Sequence, residues 1–236
     1  MSIILNIETS NKNCSVSVSE TGNIIGLEEQ YFEQYSHSKY LHVFIDKLFK
    51  KTKLSPSDLS AVAISEGPGS YTGLRIGVSA AKGICFPLNI PLIALDTMHI
   101  LARKIECSEG YIVPAIDARR DEIYFAMFQS TNCKIPELKV KTDTMILSSD
   151  SFSNYYETST VNFVGDCNKK IMQYLNHENI FFSDYILPSA NEMGVLSHSK
   201  YVKEQFVDVA EFQPKYLKDF GGKKICLLYT SPSPRD

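Results

Sequence analysis

The sequence has no surplus of positive charge: 24 Lys+Arg stand against 27 Asp+Glu, for a formal net charge of -3. Proteins that grip structured RNA alone carry a basic domain or stripe, because each neutralised phosphate releases counterions. A role on RNA would therefore call for a basic partner to hold it. The six cysteines, Cys14, Cys85, Cys107, Cys133, Cys167 and Cys226, contain no C-x-x-C pair. That excludes a zinc knuckle and a thioredoxin-like redox site, and leaves lone buried thiols of a reducing compartment. No apolar run approaches the roughly 20 residues of a membrane span. Met1–Glu8 lacks the basic flank and apolar stretch of a signal peptide. The chain is expected in the cytosol, away from membranes. Among His37, His42, His99, His177 and His198 the nearest two are five residues apart. That is about 140° around a helix, so they do not share a metal in helical geometry.

What remains is ordinary globular composition: 236 residues, 44% hydrophobic and 22% charged. A chain of this length buries roughly 70% or more of its unfolded surface and needs neither metal nor disulfide to hold a core. Its pattern predicts strands at Ile3–Glu8, Cys14–Ser19 and Asn23–Phe32, then a helix over Ser38–Lys51. In that helix Leu41, Phe44, Ile45, Leu48 and Phe49 recur at i, i+3, i+4, i+7 and i+8, and His42 and the lysines lie off the stripe. A strand at Ala61–Ile64, a helix over Ser70–Phe86, a strand at Pro91–Leu95 and a helix over Thr97–Glu106 follow. The order β-β-β-α-β-α is that of a mixed α/β layer. Beyond Gly110 the pattern restarts, with a hairpin of Tyr111–Asp117 and Glu122–Phe128 around Ala118–Asp121. A strand at Val161–Val164 and helices near Asn168–Asn176 and Ala190–Lys203 complete a smaller unit, and Gln213–Leu217 returns to close the fold. The expected division is 1–100, 101–209, a completing segment 210–224 that belongs with the first unit, and a disordered, foreign-looking tail 225–236.

The most informative stretch is Ser65-Glu66-Gly67-Pro68-Gly69-Ser70-Tyr71-Thr72-Gly73-Leu74-Arg75-Ile76-Gly77. It follows a strand and opens a helix, where backbone N–H groups and the helix dipole can hold an anion. No Gly-Lys-Ser/Thr follows, so it is not a Walker loop. Ser70 has Pro68 two places before it, so it is not a nucleophile elbow either. Gly73, Gly77 and Ala81 repeat every fourth residue, with Ser79, Ala80 and Gly83 adding small side chains. Each interior glycine costs a helix about 1 kcal/mol against alanine. The spacing makes sense where another backbone packs close, and that neighbour is either a partner helix or the chain's own sheet. Tyr71, Arg75 and Lys82 interleave with the small residues as a candidate rim. Asp117, Arg119, Arg120, Asp121 and Glu122 form a second polar group, read either as an acid–base pair or as the charged tip of a hairpin.

Ser65–Gly77 with Lys82-Gly83 resembles the signature of the bacterial TsaB (YeaZ-like) family. Asn6-Ile7-Glu8-Thr9-Ser10 resembles its first motif, and Ile116-Asp117-Ala118-Arg119-Arg120-Asp121-Glu122-Ile123-Tyr124 its mid-chain motif. Pro214-Lys215-Tyr216-Leu217 resembles its late Pro-x-Tyr-Leu element. The resemblance implies an actin-like, ribonuclease-H-like α/β fold in two related lobes. It implies a non-catalytic scaffold for threonylcarbamoyladenosine formation in tRNA, partnered by a TsaD-like catalytic paralogue, a TsaE-like ATPase through the complex, and itself. On this reading tRNA is touched at most indirectly, and the chain has no cofactor of its own: ATP and metal belong to the partner subunits.

Carried onto this sequence, Gly69, Tyr71, Thr72, Gly73, Arg75, Ile76, Gly77, Ser79, Ala80, Lys82 and Gly83 form the partner interface. Glu8, Thr9, Ser10, Asp117 and Arg119 line a vestigial nucleotide cleft. The paralogue shares the Ile-Glu-Thr-Ser start but adds acidic residues and a His-x-x-x-His pair, where this chain has Asn11-Lys12-Asn13-Cys14 and no such pair. The alternative is a stand-alone actin-fold ATPase or kinase that positions its nucleotide with Glu8, Thr9 and Asp117. If the partner-helix reading holds, Gly73→Leu or Gly77→Leu parts the complex and leaves the monomer folded.

Overall fold

Leu5 and Ile7 point to one face of strand β1 (Ile3–Glu8) and Ile4 to the other, and all three are fully buried. A strand sealed on both faces needs a covering layer on each, and β1 is accordingly a central strand. In this structure, a computed structural model describing residues 2–34, 36–105, 109–130 and 135–218, β2 (Asn13–Glu20) and β3 (Asn23–Tyr31) continue from β1 as an antiparallel meander. On the other side β4 (Ala61–Gly67) and β5 (Leu92–Asp96) run parallel to it, giving the order β3-β2-β1-β4-β5.

Helices α1 (His37–Thr52) and α2 (Tyr71–Leu88) cover one face. Leu41, Phe44, Ile45 and Leu48 of α1 are buried there, as their spacing requires. The Ser70 hydroxyl caps α2 by accepting the Gly73 N–H at 3.2 Å. Asn89, left-handed at φ 52, ends it.

The helix α3 (Thr97–Ala102) leads into a second five-stranded sheet. Its strands are β6 (Tyr111–Asp117), β7 (Glu122–Gln129), β8 (Glu137–Ile146), β9 (Val161–Gly165) and β10 (Ile180–Tyr185). Short helices α4 (Ser153–Tyr156) and α5 (Asn168–Ile171) lie between them. The order β8-β7-β6-β9-β10 repeats the first sheet strand for strand: the first strand is antiparallel to the second and parallel to the fourth. The chain therefore builds the actin-like layout twice, as two related lobes. Met98, Leu101 and Ala102 of α3 pack against Ile112, Ala126, Phe128 and Val164, so the lobes share an apolar seam. The Thr142 hydroxyl of β8 donates to Asp96 at 2.6 Å across it.

Two findings depart from the sequence-based expectation. Strands β8 and β10 were not anticipated; β8 is an edge strand with Glu137, Lys139, Lys141 and Asp143 all exposed, which blunts its apolar signal. The helix placed in the second unit, α6 (Met193–Val202), covers the first lobe instead. Met193 and Leu196 join Ile4, Ala61, Ala63, Ile93 and Leu95, supplying the second layer that β1, β4 and β5 demand. The chain then runs back along the first lobe: Val207 bridges Leu92, and the Lys215 N–H donates to the Glu66 carbonyl at 2.8 Å. Cys107, Cys133, Cys226 and the tail 225–236 fall outside the described residues. Among the described residues no helix is long and apolar enough to cross a membrane.

Candidate functional site: the outward face of the second helix

The glycine ladder of α2 sits on the chain's own backbone just after the first strand and on strand β4. A Cβ on Gly69 would overlap the Ser10 carbonyl, one on Gly73 the Thr9 carbonyl, and one on Gly77 the Thr9 hydroxyl. The same Cβ on Gly77 would meet Ile64 Cδ1 at 2.8 Å. The Ser70 N–H donates to the Ser10 carbonyl at 2.6 Å, so the loop after β1 is the bed of the helix. Gly73, Gly77 and Ala81 are buried. This corrects the expectation for Gly69, Gly73 and Gly77: the close neighbour is internal. A stripe repeating every fourth residue occupies one side of a helix, and here that side lies on the sheet.

The opposite side is open. Thr72, Arg75, Ser79 and Gly83 are exposed, with Tyr71, Ile76 and Lys82 half-buried beside them. Between α1 and α2 runs a groove of about 810 Å³, lined by Ser38, His42, Tyr71, Thr72, Arg75, Ile76, Ser79, Ala80, Gly83 and Ile84. Ala80 is nearly buried yet borders the groove, and Gly83 has nothing within 4 Å of an added Cβ. The floor is thus built of small side chains with free space above them.

One end of the groove carries an aromatic–guanidinium cluster. The Arg75 guanidinium lies 4.2 Å from the Tyr71 ring centre and donates through Nε to the Tyr216 hydroxyl at 3.2 Å. The two tyrosine rings are 4.8 Å apart. At the other end Phe86 is 79% exposed. Lys82 turns away from the groove and donates to the Ala210 carbonyl at 2.6 Å. Ser38, His42, Ile84 and Tyr216 went unrecognised as site residues in the sequence. The first two were visible only as positions off the apolar stripe of α1. Tyr216 stands within the late motif, but nothing in its neighbourhood tied it to α2.

The residues expected to line a cleft occupy equivalent places in the two lobes, after β1 and after β6, and their contacts stay within each lobe. Glu8 is fully buried; its Oε1 accepts the Ser10 N–H at 2.6 Å, and its Oε2 makes no well-formed hydrogen bond although Ser65 lies beside it. Thr9 and Ser10 form the bed of α2. In the second lobe the Asp117 N–H donates to Asp166 at 3.0 Å, and its carboxylate pairs with Lys170 and accepts the Arg119 N–H. Arg119 and Arg120 take positive φ of 71° and 50° within the four-residue turn Ala118–Asp121 that joins β6 to β7.

Burial pushes the Cys14 and Cys85 thiols up to about 12 and about 11 and the His99 imidazole down to about 4. Such groups stay neutral and unreactive near pH 7. Among the described residues no group of three His, Cys, Asp or Glu is placed to hold a metal.

Burial, opposed by hydrogen bonds from Ser10 and Ser65, raises the Glu8 carboxyl from 4.5 to about 7. The folded chain therefore keeps a proton that the unfolded chain has already released. Between pH 4.5 and about 7 this group lowers stability as pH rises, with a slope of up to about 1.4 kcal/mol per pH unit. Glu8→Gln keeps an acceptor for Ser10 and removes the titration. The difference in denaturation midpoint between wild type and variant should shift across that window in the variant's favour. Midpoints that stay parallel with pH would refute the assignment.

The model of the family described as TsaD, tRNA N6-adenosine threonylcarbamoyltransferase, matches residues 32–225. The tRNA threonylcarbamoyladenosine biosynthesis protein TsaB of Haemophilus influenzae is 26% identical over 231 residues, covering 92% of this chain and 93% of its own. The Bacillus subtilis protein of the same name is 32% identical over 143 residues, 61% of this chain and 62% of its own. The tRNA N6-adenosine threonylcarbamoyltransferase of Bacillus subtilis is 28% identical over 130 residues, 48% of this chain and 37% of its own. The fold matches the structure of YeaZ from Pseudomonas aeruginosa with a TM-score of 0.81 at 23% identity, over 92% of this chain and 100% of that one. With its glycine-rich turn, its doubled sheet and these relatives, the chain belongs to the TsaB (YeaZ-like) family of tRNA threonylcarbamoyladenosine biosynthesis, within the wider group to which TsaD belongs.

Proposed function

We propose that the chain is a non-catalytic docking subunit for a TsaD-type threonylcarbamoyltransferase, and that the groove between α1 and α2 is where the two meet. The observation that carries this is the two-sided use of α2. Its tight glycines seat it on the sheet, while its outward face keeps a small-residue floor between an aromatic–guanidinium cluster and the exposed Phe86. Such a floor admits the ridge of another helix to short interaxial distance, and aromatic and arginine anchors are the usual centres of binding energy.

The occupant is the equivalent pair of helices on the paralogue. A transferase 28% identical to this chain over 130 residues places such helices on its own first lobe if it shares the layout, so two like faces meet about a pseudo-two-fold axis. A second copy of this chain fits the same face when the paralogue is absent. On this reading ATP and metal act on the partner subunits, a TsaE-type ATPase joins through the complex, tRNA is held by the partners, and the assembly works in the cytoplasm. The perturbed groups of this chain support the non-catalytic part. Glu8 and the described thiols are buried where a substrate does not reach them.

The test is reconstitution. The paralogue, the ATPase and a threonylcarbamoyl-adenylate supply are assayed for tRNA modification with and without this chain, alongside size exclusion of chain and paralogue. Co-elution and a dependence of modification on this chain are expected. Full modification without it, or magnesium-dependent ATP turnover by the isolated chain, would sink the reading.

A further inference from the structure

We propose that Lys215–Lys218 is a latch joining the groove-bearing helix α2 to the hairpin tip of the second lobe, so that the seating of Tyr216 sets the order of residues 118–122. Upstream, Val207, Val209 and Phe212 pack against the first-lobe core, and Pro214 is buried. Lys215 is then fixed twice on the end of β4: its N–H donates to the Glu66 carbonyl at 2.8 Å and its Nζ to the Glu66 carboxylate at 2.6 Å. Gly67, at φ +111, makes room for this approach, since a Cβ there would come within 2.8 Å of the Lys215 carbonyl oxygen.

The next residue, Tyr216, lies on Tyr71 and accepts from Arg75. Two residues further, Lys218 crosses to the other lobe. Its Nζ donates to the Ala118 carbonyl at 3.1 Å, pairs with the Glu122 carboxylate, and stands 5.8 Å from the Tyr124 ring centre. A pivot on β4, a plate on α2 and a hook on the β6–β7 hairpin thus follow one another within four residues.

Nothing deep holds the last three. Tyr216 is 40% and Leu217 38% exposed, and the Lys218 and Glu122 side chains remain about a third open to water. Contacts of this kind are individually weak, so they act together or let go together. The hairpin they reach carries its two arginines at positive φ and binds the chain beyond β8 through the Leu147 N–H on the Asp121 carbonyl. Tyr216 packs against Tyr71 and accepts from Arg75, and both of these line the groove. A partner that presses on the cluster therefore also presses on the latch. That last step rests on the docking reading; the latch itself does not.

Amide hydrogen exchange on the full chain, without any partner, tests it. Tyr216→Ala removes the ring packed on Tyr71 and leaves the Lys218 contacts to Ala118 and Glu122 in place, yet it should speed exchange of the Ala118 and Glu122 amides about two- to fivefold, the range such weak contacts support. Lys218→Ala, at a partly exposed position outside the hydrophobic core, should speed the same amides while leaving Leu74 in the first turn of α2 at its wild-type rate. Wild-type hairpin rates in either variant would overturn the latch. Since no partner is present, failure here leaves the docking reading standing, and failure of reconstitution leaves the latch standing.

Discussion

Gly73→Leu is expected to unfold the chain, with any loss of partner binding following from that. The helix presses the glycine onto the Thr9 carbonyl oxygen, and the Ser70 side chain lies 3.3 Å from where a Cβ would sit. Backbone does not step aside as a side-chain tip does. Even Gly73→Ala should cost about 2–3 kcal/mol through forced displacement, after counting the roughly 1 kcal/mol that alanine returns to a helix. A leucine adds several more buried atoms at the same point and belongs with the exceptional changes above about 4 kcal/mol, a large part of a stability of about 5–15 kcal/mol.

Gly77 meets a hydroxyl and an isoleucine terminus, which can move, so Gly77→Ala should cost only about 1 kcal/mol. Gly83 meets nothing, and Gly83→Ala should stabilise by up to about 1 kcal/mol. Thermal midpoints separate the three, at roughly 2–4 °C per kcal/mol for a chain of this size. A Gly73→Ala protein melting with wild type would show that the helix does not rest on Thr9. The earlier expectation, that bulky residues at Gly73 or Gly77 part a complex and spare the monomer, fails on this geometry.

Why that face was misread says what a sequence can carry. The ladder Gly73, Gly77, Ala81 announced that some backbone comes close, and it does. Spacing fixes which residues share a side of a helix but not whether that side meets a sheet or a partner, because both contacts ask for the same small side chains. Strands β1, β4 and β5 and the stripe of α1 were legible, since their burial is local and periodic. The placement of α6 was not: its own pattern says only that one side is apolar. The need it meets arises from Ile4, Ile93 and Leu95 far away in the chain. Tyr216 escaped for the same reason, as its value lies in reaching Tyr71 and Arg75 from 141 residues beyond Arg75. Glu8 was marked as a cleft residue, but its complete burial follows from what folds over β1.

Ser79→Arg combined with Gly83→Arg is expected to abolish pairing with the paralogue and leave the fold intact, the reverse of the outcome at Gly73. Both positions are exposed on the outward side of α2, and Gly83 has open space above it. Arginine is a good helix former, so stability should hold or rise by up to about 1 kcal/mol, as for Gly83→Ala. The groove floor, however, is raised by two long charged side chains. An incoming helix must either stand off, losing its packing, or bury guanidinium groups without partners. Losses at the centre of an interface reach about 2 kcal/mol or more per residue, so the pair should weaken binding at least about 100-fold.

A stable interface buries about 800 Å² on each side, more than the groove floor supplies. Val43 on α1, Phe86 and Tyr216 therefore have to be covered as well, and they are exposed and ready for it. Lys139→Ala, on the edge strand β8 of the second lobe and paired with Glu137, serves as the control and should bind as wild type does. Sedimentation or size exclusion with the paralogue, together with a melting curve, reads both quantities. A double arginine variant that still co-elutes would place the docking face elsewhere and leave the small-residue floor without a partner to explain it.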